Sequence, residues 1–166
     1  MTEPEIASSQ IEAAYTYRLT VRFMHSDRDL SEVPDVLGLL AHKLWRKGDE
    51  HFNPKGEWRG QRKKSACIIQ FGEDHEKYLP QGIKAAITLL QPHRQYIHQL
   101  IDQGVEAWLA VGWFAREWNS SEWLDWQLMR DIADLKLSLD LDIYGPEAND
   151  TDIEATDAQR LRPSRT

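Results

Sequence analysis

The sequence predicts an α+β domain, in which a mainly antiparallel sheet of about five strands carries helices packed on one face, as in a variant of the ferredoxin-like fold. Segments that alternate apolar and polar residues predict strands with one dry and one wet side, which is typical of antiparallel sheets. Segments with apolar residues three or four apart predict helices. Together they predict the order strand, helix, strand, helix, helix, strand, helix, strand.

The first strand has the clearest pattern, YTYRLTVRFM over residues 15–24. Its odd-numbered residues are aromatic or aliphatic, and its even-numbered residues up to Arg22 are polar or charged. Ser31 and Gly38 are expected to begin and end a short helix. Residues 41–64 are rich in charges and turn formers and predict a long loop with one short edge strand. The run ACIIQF predicts a buried strand after this loop.

Two prolines organise the middle of the chain. Pro80 suits the first turn of a helix that runs to about Leu90, and Pro92 restarts a second helix that stops at Gly104. The following segment, VEAWLAVGWF, has one fully apolar side and one mixed side. This pattern predicts a central strand in a sheet that is covered on only one side.

The end of the domain reads as a helix followed by a strand. Residues 119–122, NSSE, resemble a capping box, so a helix is expected from about Ser121 to Leu135. The run KLSLDLDIY predicts the last strand. Its apolar residues are expected to face the core: Leu137, Leu139, Leu141 and Ile143.

Five of the seven tryptophans lie between residues 108 and 126. Strand alternation and helical spacing place Trp113 and Trp126 in the core. The same patterns place Trp108 on the open side of the sheet and Trp123 on the outer flank of a helix. Trp118 falls in a connection and is not placed.

The composition limits the partners. The formal net charge of −7 argues against DNA or an anionic membrane and favours a basic protein. No apolar run approaches the roughly 20 residues of a transmembrane helix. The single cysteine, Cys67, lies in an apolar run and predicts a buried, inert thiol. A lone cysteine and the acidic N-terminus without an apolar segment lead us to expect a cytoplasmic location.

Three regions are expected along the chain. Residues 1–14 predict a flexible arm, and residues 15–145 predict a single α+β domain. Residues 146–166 contain almost no large apolar side chains and predict a solvated, disordered tail.

Three segments carry a family resemblance: HSDRDLSEVPDVLGLLAHKLWRKGDE, ITLLQPHRQYIHQLIDQGVEAWLAVGWF and LKLSLDLDIYG. In this order and spacing they resemble the bacterial family catalogued as domain of unknown function 4279. The resemblance covers roughly Tyr15 to Tyr144. It implies the extent of the domain and a bacterial origin, and it implies no activity.

The strongest candidate surface is the side of the sheet opposite the helices, which we call the open face. Three interpretations stay open: a solvated face with weak ion pairs, a site for a polar ligand, and a protein interface, either with another protein or within a homodimer. A polar ligand could stack on the Trp108 indole, and Arg18 or Arg22 could bind its carboxylate or phosphate group. The candidate residues on this face are Arg18, Arg22, Trp108, Asp140, Asp142 and Tyr144.

The loop between Lys43 and Lys64 is a second candidate surface. Basic residues alternate there with tryptophans, a combination that can bind single-stranded nucleic acid. The acidic net charge argues against nucleic acid as a partner, and a solvated loop pinned by its tryptophans is the simpler interpretation. The candidate residues are Trp45, Arg46, Asp49 and Trp58.

The sequence contains no strong metal or reaction motif. His98 and Asp102 are four residues apart, but no H-x-x-x-H or C-x-x-C pair is present, so we expect no metal or other cofactor. Asp140 and Asp142 lie on one side of a strand, roughly 7 Å apart by strand geometry. They suit either acid–base work or an edge strand protected by charge.

These observations favour a non-enzymatic domain that binds a protein or a ligand. An immunity-type protein, which neutralises a basic toxin through an acidic surface, is a specific version. The alternative is a small hydrolase or a ligand-sensing domain that uses Asp140 and Asp142.

Overall fold

A computed structural model describes residues 14–71, 78–117 and 119–146 and confirms the α+β class. The predicted order of the eight main elements is also confirmed, with three further short strands in the first half. The strands are β1 (Tyr15–His25), β2 (Lys43–Trp45), β3 (Glu50–Phe52), β4 (Trp58–Gln61), β5 (Ser65–Phe71), β6 (Glu106–Ala115) and β7 (Ser138–Tyr144). The helices are α1 (Val33–Leu37), α2 (Leu79–Leu90), α3 (Arg94–Asp102, after a 3₁₀ turn at Gln91–His93) and α4 (Trp126–Asp134).

Five strands form the main sheet in the order β2-β5-β1-β6-β7, and β3 and β4 form a separate hairpin. The central strand β1 is antiparallel to both β5 and β6, and β2 is antiparallel to β5. The β6–β7 pairing is parallel. A parallel pairing needs a crossover connection, and α4 provides it between these two strands.

The core lies between this sheet and the helices. Leu19, Val21 and Phe23 on β1 and Leu109 and Val111 on β6 are almost completely buried, as their alternation predicts. The helices contribute a matching apolar stripe to the same core: Leu79, Ile83, Leu90, Ile97, Leu100, Leu128 and Ile132. The prediction of helices on one face of the sheet follows from this division and is confirmed.

The prediction of a long loop over residues 41–64 is partly wrong. Three short strands occupy it, and β2 extends the main sheet by pairing Leu44 with Cys67. The β3–β4 hairpin places Phe52 opposite Trp58. The turn formers in this segment mark the ends of these strands, and the many charges hide the short apolar alternation that would have indicated them.

Two helix starts also differ from the prediction. Helix α1 begins at Val33 after Glu32, so Ser31 is not its cap, although Gly38 ends it with a φ of 63°. Helix α4 begins at Trp126, because the side chain of Asp125 accepts a hydrogen bond from the Leu128 backbone N–H at 2.8 Å. The predicted capping box therefore does not form.

Glu122, the acidic residue of that predicted capping box, is engaged elsewhere. It accepts a hydrogen bond from the hydroxyl group of Tyr15. Trp126, the first residue of α4, lies beside the buried stripe of Leu128 and Ile132 and is 67% exposed. Its predicted core position is wrong. Trp113 is buried and Trp123 is exposed, as predicted.

The last strand is less covered than predicted. Leu137 is buried and Leu139 is half-buried, but Leu141 is 45% and Ile143 is 64% exposed. They lie on the expected side of β7. However, β7 is the edge strand, and the helices that the structure describes leave its C-terminal end uncovered.

Several predictions fall outside the described residues: the arm over residues 1–13, the tail over residues 147–166 and the position of Trp118. The ferredoxin-like relation stays a prediction. Among the helices that the structure describes, none has the length and apolar character needed to cross a membrane.

Candidate functional site

On β1, β6 and β7 the open face consists of the even-numbered residues, and β5 adds Ile68 and Gln70, which pair with Arg22 and Thr20. Strand register places them in rows across the sheet, because paired residues point to the same side. Arg18 pairs with Gly112 and Gly112 with Asp142, while Arg22 pairs with Trp108. The structure thus brings all six residues predicted for this face to one side: Arg18, Arg22, Trp108, Asp140, Asp142 and Tyr144.

A groove of about 110 Å³ runs along the centre of this face. Arginines from β1 form one wall and aspartates from β7 form the other, and the strand between them contributes small residues to the floor. Because two neighbouring strands are about 4.8 Å apart, the two walls start roughly 10 Å apart. The lining residues are Arg18, Thr20, Arg22, Ala110, Val111, Gly112, Phe114, Asp140, Asp142 and Tyr144.

The two charged walls make no direct ion pair with each other. Within the described residues, no ion pair within 4.0 Å joins Arg18 or Arg22 to Asp140 or Asp142. A hydrogen bond holds Arg22 on its own side, since its Nε donates to Thr20 Oγ1 at 3.2 Å. Both signs of charge are therefore available to a partner.

Thr20 is the buried polar residue of the groove floor. It is only 4% exposed, and its hydroxyl group donates to the carbonyl oxygen of Ala110 at 3.4 Å. This hydrogen bond crosses from β1 to β6 and leaves the oxygen of Thr20 to accept from Arg22. The position of the Arg22 guanidinium group is thereby coupled to the backbone of the sheet.

Two stacked aromatic rings close one end of the groove. The rings of Phe114 and Tyr144 are 5.0 Å apart and nearly parallel, at 10°. The Phe114 ring also lies against Gly112, where an added Cβ would come within 3.4 Å of it. The hydroxyl group of Tyr144 donates to Asp142 Oδ2 at 2.6 Å. This hydrogen bond raises the pKa of Tyr144, and the nearby charges of Arg18 and Arg22 oppose that rise.

Trp108 shares the open face but lines a neighbouring, wider depression of about 540 Å³. Asp140 borders both this depression and the groove, so it joins the two parts of the face. Glu106, Lys136 and Ser138 also line the depression. The half-buried indole of Trp108 therefore lies beside a wall with charges of both signs.

Residues from the loop predicted as a second surface serve mainly local structure. Trp45 is half-buried on the outer strand β2, donates to the Lys64 carbonyl oxygen at 3.1 Å, and has the Arg62 guanidinium group 4.2 Å above its ring. Arg46 pairs with Asp29 at 2.9 Å. Asp49 closes a turn by accepting from the Arg46 backbone N–H at 2.7 Å.

Trp58 lies apart from these residues, on the hairpin. It is 62% exposed and faces Phe52, which is also exposed. The segment 43–64 contains eight lysines and arginines and three acidic residues, against a chain with a net charge of −7. The excess of basic residues lies on either side of the hairpin, which itself has two basic residues, Lys55 and Arg59, and two acidic ones, Glu50 and Glu57.

The described residues contain no group of three or more His, Cys, Asp or Glu side chains that could hold a metal ion. His98 Nε2 lies 2.8 Å from the Asp134 carbonyl oxygen, and Asp102 accepts from Lys136 at 2.8 Å. Cys67 is buried, and burial raises the pKa of its thiol to about 11. Its predicted burial in the core is confirmed.

Among the even-numbered residues that line the groove, sequence reasoning did not select four: Thr20, Ala110, Gly112 and Phe114. Their alternation along β1 and β6 was readable and placed them on the open side. What the sequence did not show was the register, which brings Ala110 and Gly112 between the charged rows. Only the residues on the neighbouring strands show that Ala110 and Gly112 form the floor of a groove.

Fold and site define an α+β domain whose sheet is covered on one side and presents opposed charges on the other. The chain belongs to the family described as Domain of unknown function (DUF4279), whose profile matches residues 15–146. No curated protein and no solved structure matches the chain. The matched range agrees with the extent of the resemblance seen in the sequence, and function has to be argued from the open face.

Proposed function

We propose that this protein is a non-enzymatic binding domain of the bacterial cytoplasm and that its open face is a protein-docking surface. The observation that carries the proposal is the pair of uncompensated charged rows, Arg18 with Arg22 and Asp140 with Asp142, on either side of a floor of small residues. Charges of both signs held in fixed rows give specificity to a protein interface.

The size and exposure of the groove favour a protein over a small molecule. Sites for small ligands enclose about 300–1,000 Å³ and bury most of the ligand. The groove offers about 110 Å³, and Arg18, Asp140 and Asp142 in its walls are themselves exposed. A protein surface covers such walls from above, whereas a small ligand would stay in contact with water.

The same exposure weighs against the hydrolase alternative. Asp140 and Asp142 lie on an open strand face, and Tyr144 donates a hydrogen bond to Asp142. Enzymes that hydrolyse a substrate with a carboxylate pair hold the pair in a cleft that orients the substrate and the reacting water. The wider depression beside Trp108 and Asp140 is the place where a ligand-sensing function would be sought.

The immunity-type version of the proposal rests on the net charge of −7, which favours encounter with a basic toxin. The open face itself is not uniformly acidic. Its arginine row would repel the basic surface that its aspartate row attracts. The face therefore favours a partner that also carries both signs of charge.

The experiment is a capture from lysate of the native host with a tagged chain as bait. The open-face variant combines Arg18→Gln with Asp142→Asn. The matched control combines Arg130→Gln with Asp131→Asn, which removes an exposed ion pair on α4. We expect wild type and control to retain a protein, either an untagged copy of the chain or another protein, that the open-face variant loses. Equal recovery by all three baits would refute the docking surface.

A further inference from the structure

We propose that the partner of the open face is a second copy of this chain, bound face to face across a two-fold axis. This inference rests on the proposed docking function and names its partner. The juxtaposition that supports it is a basic row on β1 and an acidic row on β7, at equal distances on either side of β6.

The arrangement is self-complementary. A two-fold axis that runs along β6, just above the sheet, places β1 of each copy over β7 of the other. Arg18 and Asp142 are both in register with Gly112, so they lie at the same height along this axis. Rotation therefore brings Arg18 of one copy opposite Asp142 of the other, and the same contact forms a second time by symmetry.

The row beside this one behaves in the same way. Thr20 and Asp140 are both in register with Ala110, so the Asp140 carboxylate of one copy would lie over Thr20 of the other. Arg22, whose Nε is hydrogen-bonded to Thr20, is within reach of that carboxylate. Each copy would thus supply what the other lacks, an anion for its arginines and a cation for its aspartates.

The centre of the face permits close approach. The axis passes over the small side chains of Ala110 and Gly112 and, on either side of them, over Trp108 and Phe114, each of which would meet its own copy. The Phe114 ring lies against Gly112, and two sheets at the usual spacing of roughly 10 Å hold such side chains between them. The partly exposed rings of Phe114 and Tyr144 add apolar area near the charged rows. Arginine and aromatic side chains are typical anchors of protein interfaces.

Charge complementarity distinguishes this partner from others. A uniformly basic or uniformly acidic surface would meet like charge along one of the two rows. A second copy meets opposite charge along both. The net charge of −7 on each copy opposes association at long range, but salt near 0.15 M screens it beyond about 8 Å, while contacts at the face are screened less.

The test is sedimentation velocity over a range of concentrations at about 0.15 M salt. Wild type is expected to form a dimer of 19.3-kDa chains. Arg18→Asp alone places two aspartates opposite each other, and Asp142→Arg alone places two arginines opposite each other. Each is expected to raise the dimer dissociation constant at least tenfold, about 1.4 kcal/mol. Arg130→Asp, on the exposed side of α4, is the matched control and should dimerise like wild type.

Mixing the two charge-reversed variants gives the decisive result. In the mixed dimer, the aspartate introduced by Arg18→Asp would meet the arginine introduced by Asp142→Arg. At the second, symmetry-related contact, the unchanged Asp142 of one variant would meet the unchanged Arg18 of the other. We therefore expect an equimolar mixture to dimerise at concentrations at which each variant alone stays monomeric. Circular dichroism of each variant checks that it is folded.

Two results would overturn the inference: a wild type that is monomeric at every concentration, or folded variants whose mixture stays monomeric. If the chain is monomeric but a different host protein still depends on the open face for capture, the docking function stands and self-association fails. If neither association depends on the open face, both proposals fail.

Discussion

The two sides of strands β1 and β6 share one backbone but differ in burial and in polarity. On the helix side, Leu19, Val21 and Leu109 are almost completely buried and form the centre of the core. On the open side, Arg18 and Arg22 lie in a groove that no described helix covers. One alternating strand can therefore contribute to the core with one side and to a charged surface with the other, because successive side chains point in opposite directions.

This separation has a consequence for substitutions. Changes on the helix side remove buried apolar area and alter stability, whereas changes on the open side leave the core intact and alter what the surface binds. Strand β7 is the intermediate case, since Leu137, directly before the strand, is buried, whereas Ile143, on its helix side, is exposed.

The largest expected difference compares two phenylalanines. Phe23→Ala, on the helix side of β1, should lower the free energy of unfolding by about 3–5 kcal/mol, because Phe23 is completely buried. Phe114→Ala, on the open side of β6, loses its stacking on Tyr144 and should cost about 1 kcal/mol. Urea denaturation measures both. Equal losses would mean that the open side is packed as tightly as the core.

The second prediction uses pH to test how dry the helix side is. Burial raises the pKa of the Cys67 thiol from 9.0 to about 11. The contribution of this thiol to stability is complete below pH 9. It falls as the pH rises toward 11, because the unfolded chain releases a proton that the folded chain retains.

The expected loss over this range is about 2 kcal/mol. It is measured as the difference between wild type and Cys67→Ala, since tyrosines and lysines titrate in both proteins. The stability advantage of wild type at pH 8 should shrink by that amount at pH 11. A difference that does not change with pH would contradict a dry environment for Cys67.

A smaller effect on stability is expected at the start of α4, the last helix of the described chain. Asp125→Ala removes the acceptor of the Leu128 backbone N–H at the start of α4 and should cost about 1 kcal/mol. Asp131→Ala, inside the same helix, is the control and should change stability by less than about 0.5 kcal/mol. Thermal unfolding distinguishes the two, and equal shifts would argue against Asp125 as the cap.

The smallest effect is expected at the uncovered end of β7. Ile143→Thr replaces a side chain that faces the helix side but is exposed, so it should change stability by less than about 0.5 kcal/mol. Leu137 is buried directly before the same strand. Leu137→Thr should therefore lower the free energy of unfolding several times more. Both are compared by urea denaturation. If Ile143→Thr is equally harmful, some part of the chain covers this end of the strand.

Much of the open face was predictable from alternation alone. The period of two in β1, β6 and β7 was enough to place Arg18, Trp108 and Asp142 on one side. Alternation reports which side a residue faces and not which residue lies beside it. The rows that join Arg18, Gly112 and Asp142 depend on hydrogen-bond register between strands far apart in sequence.

The errors have related physical causes. Residues 119–122 have the residue types of a capping box, but Glu122 binds Tyr15, a contact between distant parts of the chain, and α4 starts at the next acceptor, Asp125. Trp126 was assigned to the core because helical spacing places it on the flank of the apolar stripe that contains Leu128 and Ile132. Spacing ranks the sides of a helix correctly only when the neighbouring layer covers the whole of the apolar side.

The sequence by itself determined the class of fold, the order of the main elements and the two unlike sides of each long strand, because these follow from local periodicity and from the prolines and glycines that interrupt it. Only the tertiary structure decided that β6 and β7 run parallel, that β7 is an edge strand with an uncovered end, and that small residues separate an arginine row from an aspartate row. Register and strand order are set by packing between segments distant along the chain. That packing depends on the shape of the whole core.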